Sequence, residues 1–246
     1  MIPYGANHAE SIHHMENLSF VSVDTETTGL DYEKDRIIQY GFSVFIRGAC
    51  VHTATIDVNQ DVPNSAFSIN GISDERIANG MSPVGALGLL EHLFQKRPRR
   101  YCIYNASFDL SFIAAEFRRY GLQWDFRPFT ILDPIVIYRR FHPFKKATLS
   151  YVASYYGIPY NDSHDAGDDS AAAGHIYCQM YSQHGQLRNP YSNKMLEGWY
   201  NDWAARFIQY ARNKNLDIDY NSFWWPCKEE YLCSDTSELE KQNYLF

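Results

Sequence analysis

The chain has 246 residues, 45% of them hydrophobic and 16% aromatic, which suits one α/β domain with an extension and is short for two full domains. Apolar runs stop well short of the roughly 18 residues that bridge a bilayer, and the opening MIPYGANHAESIHHM lacks the basic start and apolar stretch of a secretory signal. The formal net charge of −7 argues against a broad surface for binding duplex nucleic acid.

In chain order, 1–15 reads as a flexible arm. Residues 18–24 (LSFVSVD) are rich in Val and Phe and read as a strand. Ile38, Tyr40, Phe42, Val44 and Ile46 alternate with other residues and give a second strand. A third at 51–58, with β-branched Thr and Ile, completes an antiparallel meander. Residues 63–80 read as a loop with short turns. Ser82-Pro83 is a helix start, with Ser as N-cap and Pro at the first helical position; the helix runs to Phe94, and Arg97-Pro98 ends it. A short buried-type strand at 101–105 leads to a helix over 108–120, stopped by Gly121. A further short strand falls at 129–133. Leu149, Val152, Ala153 and Tyr156 have helical spacing ended by Gly157, and an Ala-rich helix spans 165–181. Three strands followed by alternating strands and helices predict an α/β fold, a mixed sheet flanked by helices, over 16–185.

The character changes after Gly185, and 186–246 reads as a C-terminal extension. Trp199, Trp203, Phe207 and Tyr210 lie on one face of a helix, expected to pack on the protein's own domain, with Trp224-Trp225 completing the apolar patch; stacking on single-stranded bases and a polymerase-contact surface are the alternatives. The five cysteines, Cys50, Cys102, Cys178, Cys227 and Cys233, are odd in number and form no CxxC pair, so neither a disulfide framework nor a zinc site is expected, and a reducing compartment such as the cytoplasm fits best.

Three acidic elements stand out. Asp24-Thr25-Glu26-Thr27-Thr28-Gly29-Leu30 puts two carboxylates at i and i+2 at the end of a strand, on one face. Two like charges side by side are unfavourable unless neutralised, and a divalent cation does this; an all-oxygen set favours Mg²⁺ or Mn²⁺ over zinc. Asn105-Ala106-Ser107-Phe108-Asp109 joins a strand to a helix and places Asp109 near its first turn, where an acid is ordinarily a cap or dipole partner. His164-Asp165-Ala166-Gly167-Asp168-Asp169 puts a His just before a helix and an acid shortly inside it. Each alone has an ordinary reading as a polar turn, a cap or a solvated face.

Their ordered combination, DxETTGL, then NxxFD, then HDAxxD, resembles the DEDDh 3′–5′ exonuclease family of ribonuclease H-like enzymes, which includes the proofreading epsilon subunit of bacterial DNA polymerase III. The resemblance covers roughly 18–181. Ser68-Ile69-Asn70-Gly71-Ile72-Ser73, Leu132-Asp133 and Leu149 also look like the family, although members often carry His at the Asn70 position. It implies a ribonuclease H-like mixed five-stranded sheet and two-metal phosphodiester hydrolysis with Mg²⁺ or Mn²⁺. Asp24 is then the bridging ligand, Glu26 and Asp169 complete one metal site, Asp109 serves the other, and His164 is the general base. Thr27 and Thr28 are expected at the terminal sugar, Asn105 at a phosphate, and Leu30 and Phe108 against bases, with plain core packing as the alternative for the last two. Arg139, Arg140, Lys145 and Lys146 either steer the phosphate backbone or are solvated. The acid cluster also accounts for part of the negative net charge.

The TTGL form of the first motif favours DNA over RNA as substrate, in proofreading or repair. RNA trimming by the same chemistry and a non-catalytic binding module on the same fold are the alternatives. Proofreading would need a DNA polymerase subunit as partner. The final Gln242-Asn243-Tyr244-Leu245-Phe246 resembles the QxxLF peptide that binds bacterial sliding clamps, with Gln242, Leu245 and Phe246 as the specified positions; the alternative is a tail end folded onto the domain.

Overall fold

A computed structural model describes residues 15–61, 63–95, 100–122, 124, 130–143, 145–161, 164–188 and 192–214. The expectations for the N-terminal arm, Trp224-Trp225 and the QNYLF peptide lie outside these residues, as do the side chains of Phe207 and Tyr210.

Among the described residues the strands are β1 (Phe20–Thr27), β2 (Ile37–Ile46), β3 (Ala49–Asp57), β4 (Arg100–Cys102) and β5 (Thr130–Leu132), in the sheet order β3-β2-β1-β4-β5. β1 pairs antiparallel with β2, and β2 with β3; β4 joins parallel to β1, and β5 parallel to β4. This is the mixed five-stranded, ribonuclease H-like sheet expected from the sequence. β1 runs three residues beyond the predicted end, so Glu26 lies inside the strand, opposite Gln39, while Asp24 lies opposite Gly41.

The helices are α1 (Phe67–Asn70), α2 (Asp74–Ala78), α3 (Pro83–Gln95), α4 (Ala106–Arg119), α5 (Pro134–Phe141), α6 (Leu149–Tyr155), α7 (Ala166–Gln183) and α8 (Ser192–Asn213), with a 3-10 turn at Gly185–Arg188. Ser82 caps α3 by accepting a bond from the Gly85 N–H. Gly121 and Gly157 take the left-handed conformation (φ +67° and +69°) that lets the chain turn off α4 and α6, as their positions predict.

Side chains alternate along β1, and the two faces build two cores. Phe20 joins a cluster with Phe45, Cys102 and the buried faces of α5 to α8. Val23 joins another with Tyr40, Phe42, Tyr101 and the buried faces of α3 and α4. The described part of the C-terminal extension belongs to the first core: Leu196, Tyr200, Ala204 and Ile208 are buried there and Trp199 packs against it.

Two expectations are corrected. Residues 63–80 carry two short helices, α1 and α2, because Ser73 caps α2 by accepting from the Arg76 N–H and Gly71 (φ +65°) closes α1. Alternation along β2 fails at its end, where Phe45 is buried and Ile46 is 48% exposed. Both faces of β2 are covered: Phe45 shares a face with Gly41 and Ser43 and stacks on Phe20, with ring centroids 4.7 Å apart, while Ile46 ends the strand.

Helix α7 lies across β1, β2 and β3. Its start is admitted by Gly41, where any Cβ would overlap the Ala166 carbonyl. It is then tied to the sheet: Gln39 Oε1 accepts from the Ala166 N–H at 2.8 Å, and the Ser43 and Ser170 hydroxyls meet at 2.8 Å.

Candidate active site

The site forms at the end of β1, where the two layers meet. Asp24 and Glu26 project from the face that carries α7, and Asp169, four residues into α7, faces them. Asp109 comes from α4 in the opposite layer, and Thr25, pointing to that side, donates its hydroxyl to Asp109 Oδ1 at 2.8 Å. All four acids line one cleft of about 240 Å³, together with Leu30, Ile69, Asn70, Tyr104 and Phe108. Glu26, His164 and Asp169 each offer a ligand atom within 4.8 Å of the others, a grouping able to hold a metal ion.

The electrostatics favour a cation. Burial, reinforced by Asp109, Asp169 and Glu26, holds the Asp24 carboxyl well above the usual range. Burial and the neighbouring Asp169, Asp109 and Asp165 push Glu26 up to about 8. Burial lifts Asp109 to about 7 despite its hydrogen bond from Thr25. Without a counter-charge these groups hold protons; a divalent cation replaces the protons and removes the repulsion. The donor set is dominated by carboxylate oxygen, which suits Mg²⁺ or Mn²⁺.

His164 sits at a strained turn (φ +49°), with its Nδ1 4.0 Å from Glu26 Oε1 and its side chain 40% exposed. The next residue fixes that turn. Asp165 caps α7 through the Gly167 N–H, accepts the Thr55 hydroxyl at 2.7 Å and faces Arg76 at 3.5 Å. Arg76 also grips Asp57 at 2.7 Å, and Asp57 accepts from Gln39. The third motif is therefore held by β2, β3 and α2 together.

A second acid organises the other side. The buried Asp133 accepts from the Asn105 and Ala106 N–H groups at the start of α4 and from the Ile135 N–H of its own helix, α5. This holds Asn105 left-handed (φ +64°), and α4 begins at once, with Asp109 in its first turn. Burial raises the Asp133 carboxyl to about 6 against these three bonds.

The other motif residues divide. Leu30 is 84% exposed and lines the cleft, so it is not a core residue. Phe108 lines the cleft and also packs on Phe112, with ring centroids 4.8 Å apart. Thr27 lines the cleft, but Thr28 is turned into the loop, bonded to Asp35 and to the Arg36 N–H. Asn105 lines a neighbouring cleft rather than the acidic one. Arg139 lies over the Trp203 ring at 4.4 Å, Arg140 lies 5.8 Å from the Trp199 ring, and Lys145 and Lys146 are exposed.

Sequence reasoning did not single out Thr25, Tyr160 or the partners of Asn70. Tyr160 donates to Asp169 Oδ1 at 2.7 Å. Asn70 donates to the Thr27 carbonyl and accepts from Asn64 at 2.7 Å, so an amide locks the first motif's loop to α1. The one signal for Thr25 is its position between the two acids, which does not show its bond to Asp109, 84 residues away.

A five-stranded ribonuclease H-like sheet with acids converging at the end of its first strand defines a nuclease-type site. The family model described as Exonuclease (RNase T) matches residues 21–177, and the chain belongs to this exonuclease family, of the DEDDh type. Curated relatives include the 3′-5′ exonuclease DinG of Staphylococcus haemolyticus, 25% identical over 218 residues that cover 85% of this chain and 24% of that protein. A PolC-type DNA polymerase III of Caldanaerobacter subterraneus is 28% identical over 164 residues, 65% of this chain and 11% of that protein. The chain thus spans a quarter or less of the length of these relatives. Among solved structures, E. coli exonuclease I with a dA16 oligonucleotide matches 69% of this chain and 42% of its own, with a TM-score of 0.61 and 17% identity. Exonuclease X with 5′ overhanging duplex DNA matches 68% and 93%, with a TM-score of 0.53 and 20% identity. These likenesses concern the fold.

Proposed function

We propose that this chain is a metal-dependent 3′–5′ exonuclease that removes nucleotides from single-stranded or frayed DNA ends, in proofreading or repair. The observation that carries this reading is the convergence of Asp24, Glu26, Asp109 and Asp169 in one cleft where ionisation is unfavourable without a cation. Asp24, Glu26, Asp109 and Asp169 would hold two divalent ions, Mg²⁺ or Mn²⁺, in the roles that the family resemblance implies for them. Such ions supply charge stabilisation at the scissile phosphate.

The chain's own residues do the rest. His164 accepts the proton of the attacking water as that oxygen bonds to phosphorus and the bond to the leaving 3′-oxygen breaks, and the leaving oxygen takes a proton from solvent to become the new 3′-hydroxyl; imidazole is a common general base for such a transfer. Tyr160 orients Asp169, and Thr25 orients Asp109. Leu30 and Phe108 bracket the terminal nucleotide, and the Thr27 backbone meets its sugar. These contacts read no base sequence, so low sequence specificity follows. Relatives named DNA polymerase III PolC-type support a DNA substrate and a polymerase partner, and the QNYLF peptide, through Gln242, Leu245 and Phe246, would tether the enzyme to a sliding clamp. Residues 16–185 form the catalytic unit and 186–246 its extension. Cys50, Cys102 and Cys178 are free thiols, in keeping with a reducing, cytoplasmic setting.

The test is degradation of 5′-labelled single-stranded DNA and RNA of one sequence with Mg²⁺, Mn²⁺ or chelator. DNA should shorten from its 3′ end only with metal. Faster loss of RNA would transfer the proposal to RNA trimming, and no cleavage of either would leave a binding module. Asp24→Asn should lower DNA turnover on the order of a thousandfold, the several kcal/mol of transition-state stabilisation that metal supplies, without unfolding the protein. Unchanged turnover in that variant would refute the metal assignment.

A further inference from the structure

The family match ends at 177, yet a wall of the neighbouring cleft comes from beyond it. This second cleft, about 180 Å³, shares Leu30 and Phe108 with the acidic one. Tyr32, Phe112 and Asn105 continue its lining, and Trp203 of α8 completes it. Among the described residues, none that lines it is charged, in contrast to the acidic cleft. Trp203 is well anchored: the Arg139 guanidinium lies over its ring at 4.4 Å, and the Tyr200 ring is 5.7 Å away. Asn105 supplies an amide that makes no capping bond to α4.

We propose that this cleft is a second nucleobase subsite, in which Trp203 stacks on the base next to the 3′-terminal nucleotide. The proposal rests on the exonuclease reading above. An aromatic wall with an amide beside it, uncharged among the described residues, suits a base rather than a phosphate or a metal ion. Because Leu30 and Phe108 border both clefts, a strand whose last nucleotide lies at the acids passes its preceding base into the second one. Arg139, positioned by the same indole, adds a positive charge beside that strand. The C-terminal helix is thereby part of the substrate path and makes the enzyme prefer polymer over mononucleotide.

Two full-length variants separate stacking from packing: Trp203→Leu keeps apolar bulk, and Trp203→Phe keeps an aromatic ring. Each is assayed on an oligothymidylate and on thymidine 5′-(p-nitrophenyl phosphate), which reaches only the terminal site. In Trp203→Leu the KM for oligothymidylate should rise about tenfold relative to that for the ester, the loss of one stacked base, and Trp203→Phe should restore most of it. An equal fall on both substrates, or an unchanged ratio, would overturn the subsite. If the wild-type chain cleaves neither substrate, the exonuclease reading fails. Anisotropy titration of fluorescein-labelled oligothymidylate in chelator then decides the subsite: binding weakened by Leu and recovered by Phe supports it, and equal binding by all three proteins refutes it.

Discussion

Burial, reinforced by the facing acids Asp169, Asp109 and Asp165, raises the Glu26 carboxyl from 4.5 to about 8. A carboxyl with a raised folded-state pKa binds its proton more tightly in the fold than in the unfolded chain. The metal-free protein should therefore lose stability as pH rises from about 4.5 to about 8. Thermal melts in chelator across that range test this, and added Mg²⁺ should raise the midpoint more at the alkaline end. A flat profile in chelator would mean that neither burial nor the neighbouring acids raise the Glu26 carboxyl as described. His164→Ala should cost roughly 10²–10⁴-fold in turnover, the usual contribution of a general base, while the metal-dependent rise in melting temperature persists. The four acids and His164 were legible because each sits in a short local pattern and the three patterns come in a fixed order. Thr25, Asn70 and Tyr160 were not, because their roles depend on partners supplied by the fold: Thr25 meets Asp109 from 84 residues away, and Asn70 meets Thr27 from 43.

Helix α4 is fixed at both ends by acids that only the folded chain brings into use. Asp133 holds its start, and near its end the buried Glu116 takes a two-pronged ion pair from Arg36 at 2.8 and 2.9 Å and a further bond from Arg119 at 3.0 Å. Arg36 lies at the entry to β2, so this pair locks helix to sheet. Glu116→Ala leaves two cations facing a buried hole and should destabilise the fold by about 3 kcal/mol, read as a lower midpoint in urea. A loss within the error of the fit would show the pair to be ornamental. The strands were largely legible, as were the helices that end in glycine or start with a cap. Helix α5 is short, eight residues, and its Asp133-Pro134 start is the one local sign of it in the sequence. The short helices α1 and α2 carry too few periodic positions to show a pattern.

At the scale of the whole molecule, three of the acids belong to one layer and Asp109 to the other, so the site closes only when both cores have formed. The mixed sheet was legible in the sequence, as was the packing of the C-terminal helix on its own domain; which of the two cores that helix joins was not, because an apolar stripe does not name the surface it covers. The contact between Gly41 and Ala166 sets how close α7 comes to the sheet. A single methyl group there is a spacer: Gly41→Ala must push the start of α7 outward and carry His164 and Asp169 with it. A displacement of about 1 Å costs on the order of a hundredfold in rate, so this variant should turn over slowly although every acid and the imidazole remain in place. If its turnover matches wild type, the spacing does not govern the chemistry. If it is slow, it offers a way to trap an intact substrate strand beside an unaltered set of ligands, which replacing any of the acids would not allow.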